Sequence, residues 1–273
     1  MSPIRAAVPI GAAVLPLEND RLRRPRSDDD VRPALRVLTT AREQMSTERT
    51  ANINALMALL RTADLGLDAR KPLTSAQINE VAAWRTHSEI LALSTARAEA
   101  RRLAKRVRAL DAELAENRSH FVESLRRSKA SSLLELAGVG PVTAAVAYSA
   151  WSHPGRLRDE AAFAALAGVS PTPASSGNTT RHRLNRGGDR RLNRALYMAT
   201  VTRMVHDPET RAYVGSRRAE GRTTREIRRC LNRYLARRIY RTLEALQRPT
   251  ALLDRHRRVH RPHSGAGELP PPS

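Results

Sequence analysis

"LLELAGVGPVTAAVAYSA", Leu133 to Ala150, holds the pattern on which the fold of this chain turns. Leu133, Leu134 and Leu136 close one apolar helix, and Gly138-Val139-Gly140 makes a tight turn. Pro141 then opens the next helix in its first turn, where a missing N–H leaves no bond unmade. Two glycines in the turn permit positive φ and a close approach by another backbone. The N–H groups at the start of the second helix favour an anion. Two roles fit this pattern: a plain connection between packed helices, or a grip on a phosphate backbone.

Charge distribution favours the grip. The formal net charge is +21, and between Arg181 and Arg241 18 arginines face five acids. A surface charged for solubility spreads its excess, whereas a phosphate-binding surface concentrates it. Only Lys71, Lys105 and Lys129 accompany 45 arginines; a GC-rich coding bias produces that ratio, so the net charge says more than the choice of Arg. The turn resembles a helix-hairpin-helix, a module that holds nucleic-acid backbone without reading sequence, and Gly138 and Gly140 are its candidate contacts. Phe163 to Pro171 (FAALAGVSP) echoes it with one glycine. No Lys or Arg lies in the turn itself.

Upstream, residues 1–33 carry five prolines and little periodicity and read as irregular. Asp28, Asp29 and Asp30 are contiguous, unlike carboxylates that converge from separate strands on a metal. Ala6 to Pro16, after Arg5, has the outline of a secretory leader. Two prolines interrupt it and no small-residue cleavage site follows, so the edge of a larger domain is the expectation. From Ala34, Leu35, Leu38, Met45, Ile53, Leu56 and Leu60 recur at helical spacing, with an end before Gly66 and a new start near Thr74 or Ser75. Leu103, Val107, Leu110, Leu114, Asn117, Phe121 and Leu125 then step in threes and fours, close to a heptad seam. Asn117 at a seam position either selects a register or faces solvent. An antiparallel helical hairpin or coiled coil over 34–130 is expected, able to pair with another protomer.

Downstream, short helices with Gly turns lead to an amphipathic helix over Thr224–Leu246. Its stripe is Ile227, Leu231, Tyr234, Leu235, Ile239, Leu243 and Leu246, and Arg225, Arg228, Arg229, Arg233 and Arg237 lie opposite. Residues 248–273 are Pro-, His- and Gly-rich and read as a disordered basic tail. His256, His260 and His263 have ligand spacing only in a helix, which Pro262 opposes. The expected fold is mainly α: the hairpin, then a compact helical domain over 131–247. Leu and Ala must fill its core, since only two Phe and two Trp are present. Cys230 is the single cysteine, which excludes an internal disulfide or a Cys-based zinc site and suits a reducing compartment.

"PASSGNTTRHRLNRGGDR", Pro173 to Arg190, offers a candidate chemistry. A serine can attack a phosphodiester and hold the strand as a phosphoserine ester. Charge then builds on the phosphoryl oxygens and needs cations nearby. Arg181, Arg183, Arg186, Arg190, Arg191 and Arg194 are available, Gly177 leaves room for the strand, and Asn178, Thr179 and Thr180 add neutral donors. His182 is the nearest candidate base, and no carboxylate cluster accompanies it. By residue type alone, a basic loop facing nucleic acid is as far as these residues go, and a plain polar turn remains open.

The order of the blocks is more specific. A helical hairpin, LAGVGPVTAA, FAALAGVSPTPASSGNTTRHRLNRGGDRRLNRALY and HDPETRAYVGSRRAEGRTTREIRRCLNRYLARRIY resemble the C-terminal two-thirds of insertion-sequence-110 type bacterial transposases (the 110/116/902 group). The resemblance runs from about Leu35 to Leu246 and is strongest over Leu133–Tyr240. It implies an N-terminal RuvC-like domain whose acids bind Mg²⁺, a coiled coil that oligomerises the protomers, and a C-terminal serine that becomes linked to DNA. An element-encoded RNA pairs with the donor and target DNA. The serine before the glycine maps to Ser176, with Ser175 the one-residue alternative; Arg225 and Arg229 join the six loop arginines as candidate DNA contacts. Two positions depart from the family pattern: Asp189 stands for Asn after Gly188, and Asn193 for a common Arg.

The Lys-Thr-Asp-x-x-Asp element of the RuvC-like domain does not occur, so a chain truncated or rebuilt at its start is expected. It would bind no cofactor of its own, Mg²⁺ being implied for the full-length family. Three functions compete: a DNA-binding transposase remnant with impaired catalysis, a working recombinase whose metal site comes from elsewhere, and a non-catalytic nucleic-acid-binding protein derived from a transposase. No apolar run reaches the roughly 20 residues of a membrane span, and a bacterial cytoplasmic, nucleoid-associated protein is the expectation.

Overall fold

The computed structural model describes residues 30–85, 88–173, 182–183, 185 and 187–245. Helix α1 (Val31–Thr62) runs out and α3 (Leu91–Arg126) runs back. The helical pattern read from Ala34 thus begins three residues earlier, because Pro33 sits in the first turn, where proline is tolerated. The pairing is antiparallel within one chain: Arg42 donates to Leu114 O at 3.0 Å, while Glu48, further along, takes Arg106 at 2.6 Å. At about 1.5 Å per residue the hairpin reaches nearly 50 Å.

The seam read from α3 is its buried face, with Val107, Leu110, Phe121 and Leu125 fully buried. Asn117 is buried with them. Its side-chain amide donates to Leu38 O at 3.1 Å, and its Oδ1 accepts from Arg42 Nη1 at 3.3 Å. A slip of the hairpin would strand these polar groups in an apolar seam, so Asn117 fixes the intrachain register. At the far end, α2 (Ser75–Ala83) starts in a capping box between Thr74 and Gln77 and closes a separate small core with Leu56, Leu60, Ile78, Val81 and Leu103.

The base of the hairpin enters the main core, where Leu35, Phe121 and Leu125 meet the C-terminal helices. A 3₁₀ helix over Lys129–Glu135, where the sequence suggested the end of an ordinary helix, leads into the glycine turn. Helix α4 (Pro141–Trp151) follows, with Gly140 as N-cap and Pro141 in its first turn. It is buried nearly all round, which its Ala- and Val-rich sequence allows. Around it stand α5 (Glu160–Leu166), α6 (Arg190–His206), α7 (Pro208–Ala219) and α8 (Thr224–Ala245). Strands β1 (Thr172–Pro173) and β2 (His182–Arg183) form a two-residue antiparallel ladder between α5 and α6.

Helix α8 buries Ile227, Leu235, Ile239 and Leu243 as expected, but Tyr234 is 56% exposed. Tyr240 takes the inward place, its hydroxyl donating to Leu157 O at 3.1 Å. Trp151 is anchored on the same helix by Nε1 donating to Glu244 Oε1 at 2.9 Å.

Candidate nucleic-acid interface

The residues that flank the serine segment meet in a fixed foot. Thr172 pairs with Arg183 and Pro173 with His182, so both ends of segment 174–181 meet at one place. Below the ladder, the C-terminal carbonyls of α5, which lack the full set of helical partners, take further donors. Asn185 Nδ2 donates to Ala165 O at 2.9 Å, Asp189 N to Leu166 O at 2.7 Å, and Asn193 Nδ2 to Ala167 O at 2.8 Å. Asp189 also caps α6, its Oδ1 accepting from the N–H groups of Arg191 and Leu192. Gly188 makes the clamp possible: a Cβ there would lie 2.5 Å from Gly168 N. Gly168 itself holds φ +67, which favours glycine.

Ser175, Ser176, Gly177, Arg181 and Arg186 lie outside the described residues, as does the side chain of Arg183. Among the other nominated contacts, Arg190, Arg225 and Arg229 are exposed. Arg191 and Arg194 are shared by one carboxylate: Glu43 Oε2 takes Arg191 at 2.8 Å and Oε1 takes Arg194 at 2.7 Å. Glu43 belongs to α1, far away in sequence, and no local pattern announced it. On α7, α8 and the turn between them, Arg211, Arg218, Arg222 and Arg233 are also exposed, and Arg228 stacks over the Tyr197 ring at 4.8 Å.

The two turn glycines separate into different roles. Gly138 has φ +75 and faces protein: a Cβ would meet Arg203 Cγ at 2.5 Å and Ala199 O at 2.6 Å. Its smallness admits α6, so packing alone already requires a glycine here. Gly140 faces open space, with nothing within 4 Å of the place a Cβ would take. Both glycines line a cavity of about 550 Å³ at the N-terminus of α4, together with Val142, Thr143 and Arg118. Arg118 comes from α3, so the cation missing from the turn is supplied by another helix.

Arg203 is buried and held in place. Its Nε donates to Thr210 Oγ1 at 3.2 Å and its Nη2 pairs with Asp207 at 3.1 Å. The Thr210 hydroxyl donates to Asp207 as well, and with Arg203 it holds the Asp207 carboxyl below the usual carboxylate range. Asp207 thereby joins α6 to α7, capping the latter ahead of Pro208. Glu160, at the start of α5, is likewise held low, first by Arg241 and then by Arg237.

Residues 130–215, which include the glycine turn, the clamp and the serine segment, match the family model described as Transposase IS116/IS110/IS902 family. This segment belongs to that transposase family. The chain is 30% identical to the uncharacterized 42 kDa protein of insertion element IS900 from Mycobacterium paratuberculosis, over 72% of this chain and 60% of that protein. It is 36% identical to the 43.6 kDa protein of insertion element IS110 from Streptomyces coelicolor, over 33% of this chain and 23% of that one. The 44.8 kDa protein of insertion element IS116 from Streptomyces clavuligerus is 31% identical over 44% and 30% of the two chains. The alignments span about 60% of the length of the first of these relatives and less than a third of the other two. Among the described residues no helix is long and apolar enough to cross a membrane.

Proposed function

We propose that the chain carries the DNA-handling part of a transposase, with Ser176 as its nucleophile and Ser175 as the alternative. The observation that carries this reading is the clamped foot of the serine segment, lying inside the family match and bordered by arginine-bearing helices. Ser176 Oγ would form a bond to phosphorus as a sugar oxygen–phosphorus bond breaks, the serine proton passing to the leaving sugar oxygen. Exposed Arg190, Arg225 and Arg229, with Arg181, Arg183 and Arg186 of the segment itself, would hold the flanking phosphates. Gly140 and Arg118 form a second phosphate grip of the helix-hairpin-helix kind.

Among the described residues no three His, Cys, Asp or Glu side chains cluster as a metal site, so no step is routed through Mg²⁺ held by them. The carboxylates on the elements that carry the segment, Glu160 and Asp189, are already engaged by Arg241 and by the α6 cap. Strand cleavage by this polypeptide alone is therefore proposed to be impaired. Pairing of protomers through the hairpin belongs to the same reading; Ile90 and Leu91, 70% and 83% exposed near its far end, offer an apolar contact. So does an element-encoded RNA as a further ligand of the basic face.

The test is a denaturing gel for a covalent protein–DNA adduct, with wild type, Ser176→Ala and Ser175→Ala. An adduct lost only in Ser176→Ala supports the nucleophile and overturns the impairment of cleavage. An adduct that survives both substitutions removes the serine chemistry and leaves a nucleic-acid-binding protein.

A further inference from the structure

A cavity of about 520 Å³ opens where α1, the end of α4 and the foot of the serine segment meet. Its cations are Arg36, Arg156 and Arg191, from three separate stretches of chain. Arg36 and Arg156 are exposed, and Arg191 is half exposed and paired with Glu43. The one carboxylate in the lining, Asp189, is occupied in capping α6. Val146, Ala150 and Leu166 give the same cavity an apolar wall. Ser149 contributes a buried Oγ that has no hydrogen-bond partner among the described residues.

The rim includes a strained residue. Ser152 has φ 70 and ψ −73, and it is the one non-glycine with positive φ among the described residues. His153 N donates to Trp151 O at 3.0 Å across it, which makes a γ-turn of the rare positive-φ kind. The turn aims Ser152 and His153 at the cavity, Ser152 Oγ lying 3.1 Å from His153 Nδ1 and accepting from Arg32 at 3.4 Å. Strain of this kind persists where the surroundings over-determine it, and it concentrates at ligand sites.

From these features we infer that the cavity receives one unstacked nucleotide of a single nucleic-acid strand, its phosphate at the arginine rim and its base against the apolar wall. The volume falls within the roughly 300–1,000 Å³ of small-molecule sites, far more than a phosphate alone would need. Guanidinium planes accept both phosphate oxygens and base faces, so Arg suits this mixed ligand. The position matters for the strand's path: Leu166 and Asp189 belong both to the cavity wall and to the clamp beneath the serine segment. A nucleotide held here is anchored beside the foot of the serine segment. The inference rests on the chain being a nucleic-acid-binding transposase.

The experiment measures fluorescence anisotropy of a labelled short single strand and of its duplex, with the full chain. Ser149→Leu fills the cavity without changing charge. It should weaken the single strand by about tenfold, the loss of about one stacked base, and leave the duplex within about twofold. Arg36→Gln, at an exposed position, should weaken the single strand and flatten its salt dependence by about one phosphate contact. Ala150→Leu replaces Ser149→Leu if circular dichroism finds the latter unfolded. Unchanged single-strand affinity in the filled variants overturns the inference, and so does an equal loss for both forms of DNA. A free nucleoside monophosphate that competes as tightly as the strand overturns the strand as ligand. In these cases wild type still binds DNA; wild type that binds neither form sinks the underlying transposase reading as well.

Discussion

Replacing Gly138 with Ala separates a structural glycine from a ligand-binding one. An L-residue at φ +75 costs about 1–2 kcal/mol. The new methyl would also meet Ala199 O at 2.6 Å and Arg203 Cγ at 2.5 Å. Neither neighbour yields cheaply. The first is helix backbone, and the second belongs to a side chain fixed by Thr210 and Asp207. Overpacking of this kind adds about 1–3 kcal/mol, so Gly138→Ala should lose about 2–5 kcal/mol in all. With a urea slope of about 2–3 kcal/mol/M for a chain of this size, the midpoint falls by about 1–2 M. The assay is urea unfolding followed by far-UV circular dichroism, with Gly140→Ala beside it. Gly140 has φ −83 and open space, so its substitution should cost no more than about 1 kcal/mol, the difference between Gly and Ala at an N-cap. Should Gly138→Ala keep the wild-type midpoint and lose nucleic-acid affinity instead, the glycine serves a ligand and the packing argument is wrong.

Glu43→Gln releases Arg191 and Arg194 from their shared carboxylate. Duplex affinity at low salt should rise, and the log–log salt slope should steepen by about 1–2, near 0.9 for each phosphate newly neutralised; an unaltered slope would mean these arginines do not reach DNA. Asp207 sets an acid limit on stability. Its folded carboxyl is held low by Thr210 and then Arg203, so its contribution is complete above the unfolded value near 3.9 and is lost as pH falls through the folded value. Wild type should therefore lose Tm on acidification below about pH 4, while Asp207→Asn starts lower at neutral pH and responds less. Equal acid slopes for the two proteins would refute this role.

What could be read from the sequence tracks how local each cause is. The α3 seam from Leu103 to Leu125 and the α8 stripe were visible because helical periodicity is a local signal. Tyr234 and Tyr240 both carry amphipathic rings, and nothing local told which would find Leu157 O. The two turn glycines looked alike for the same reason. Both glycines permit positive φ, but only Gly138 adopts it, and the neighbour that needs the space, Arg203, lies on a helix beyond the serine segment. Cations could be counted but not their partners: Glu43 neutralises two candidate arginines from another helix, and Arg118 supplies one to a turn that has none of its own.

The two departures from the family pattern at the foot of the serine segment read differently once their bonds are known. In sequence, Asp189 and Asn193 only make the surroundings less positive. In the fold, Asp189 caps α6 through Oδ1 while its backbone N–H takes Leu166 O, and Asn193 takes Ala167 O. An asparagine at 189 could make the same cap, since its side-chain oxygen accepts equally well. An arginine at 193 could also donate to Ala167 O, but its longer side chain and extra charge would enter the space beside Gly168, whose nearest side-chain neighbour is now Asn193 Nδ2. The short amide therefore suits the close contact between Gly168 and Gly188. The clamp tolerates the charge change at 189 because its bond there comes from the backbone N–H, and it depends more on size at 193, where the side chain donates. The residues that vary here hold the foot of the segment, and Arg190 beside them remains exposed.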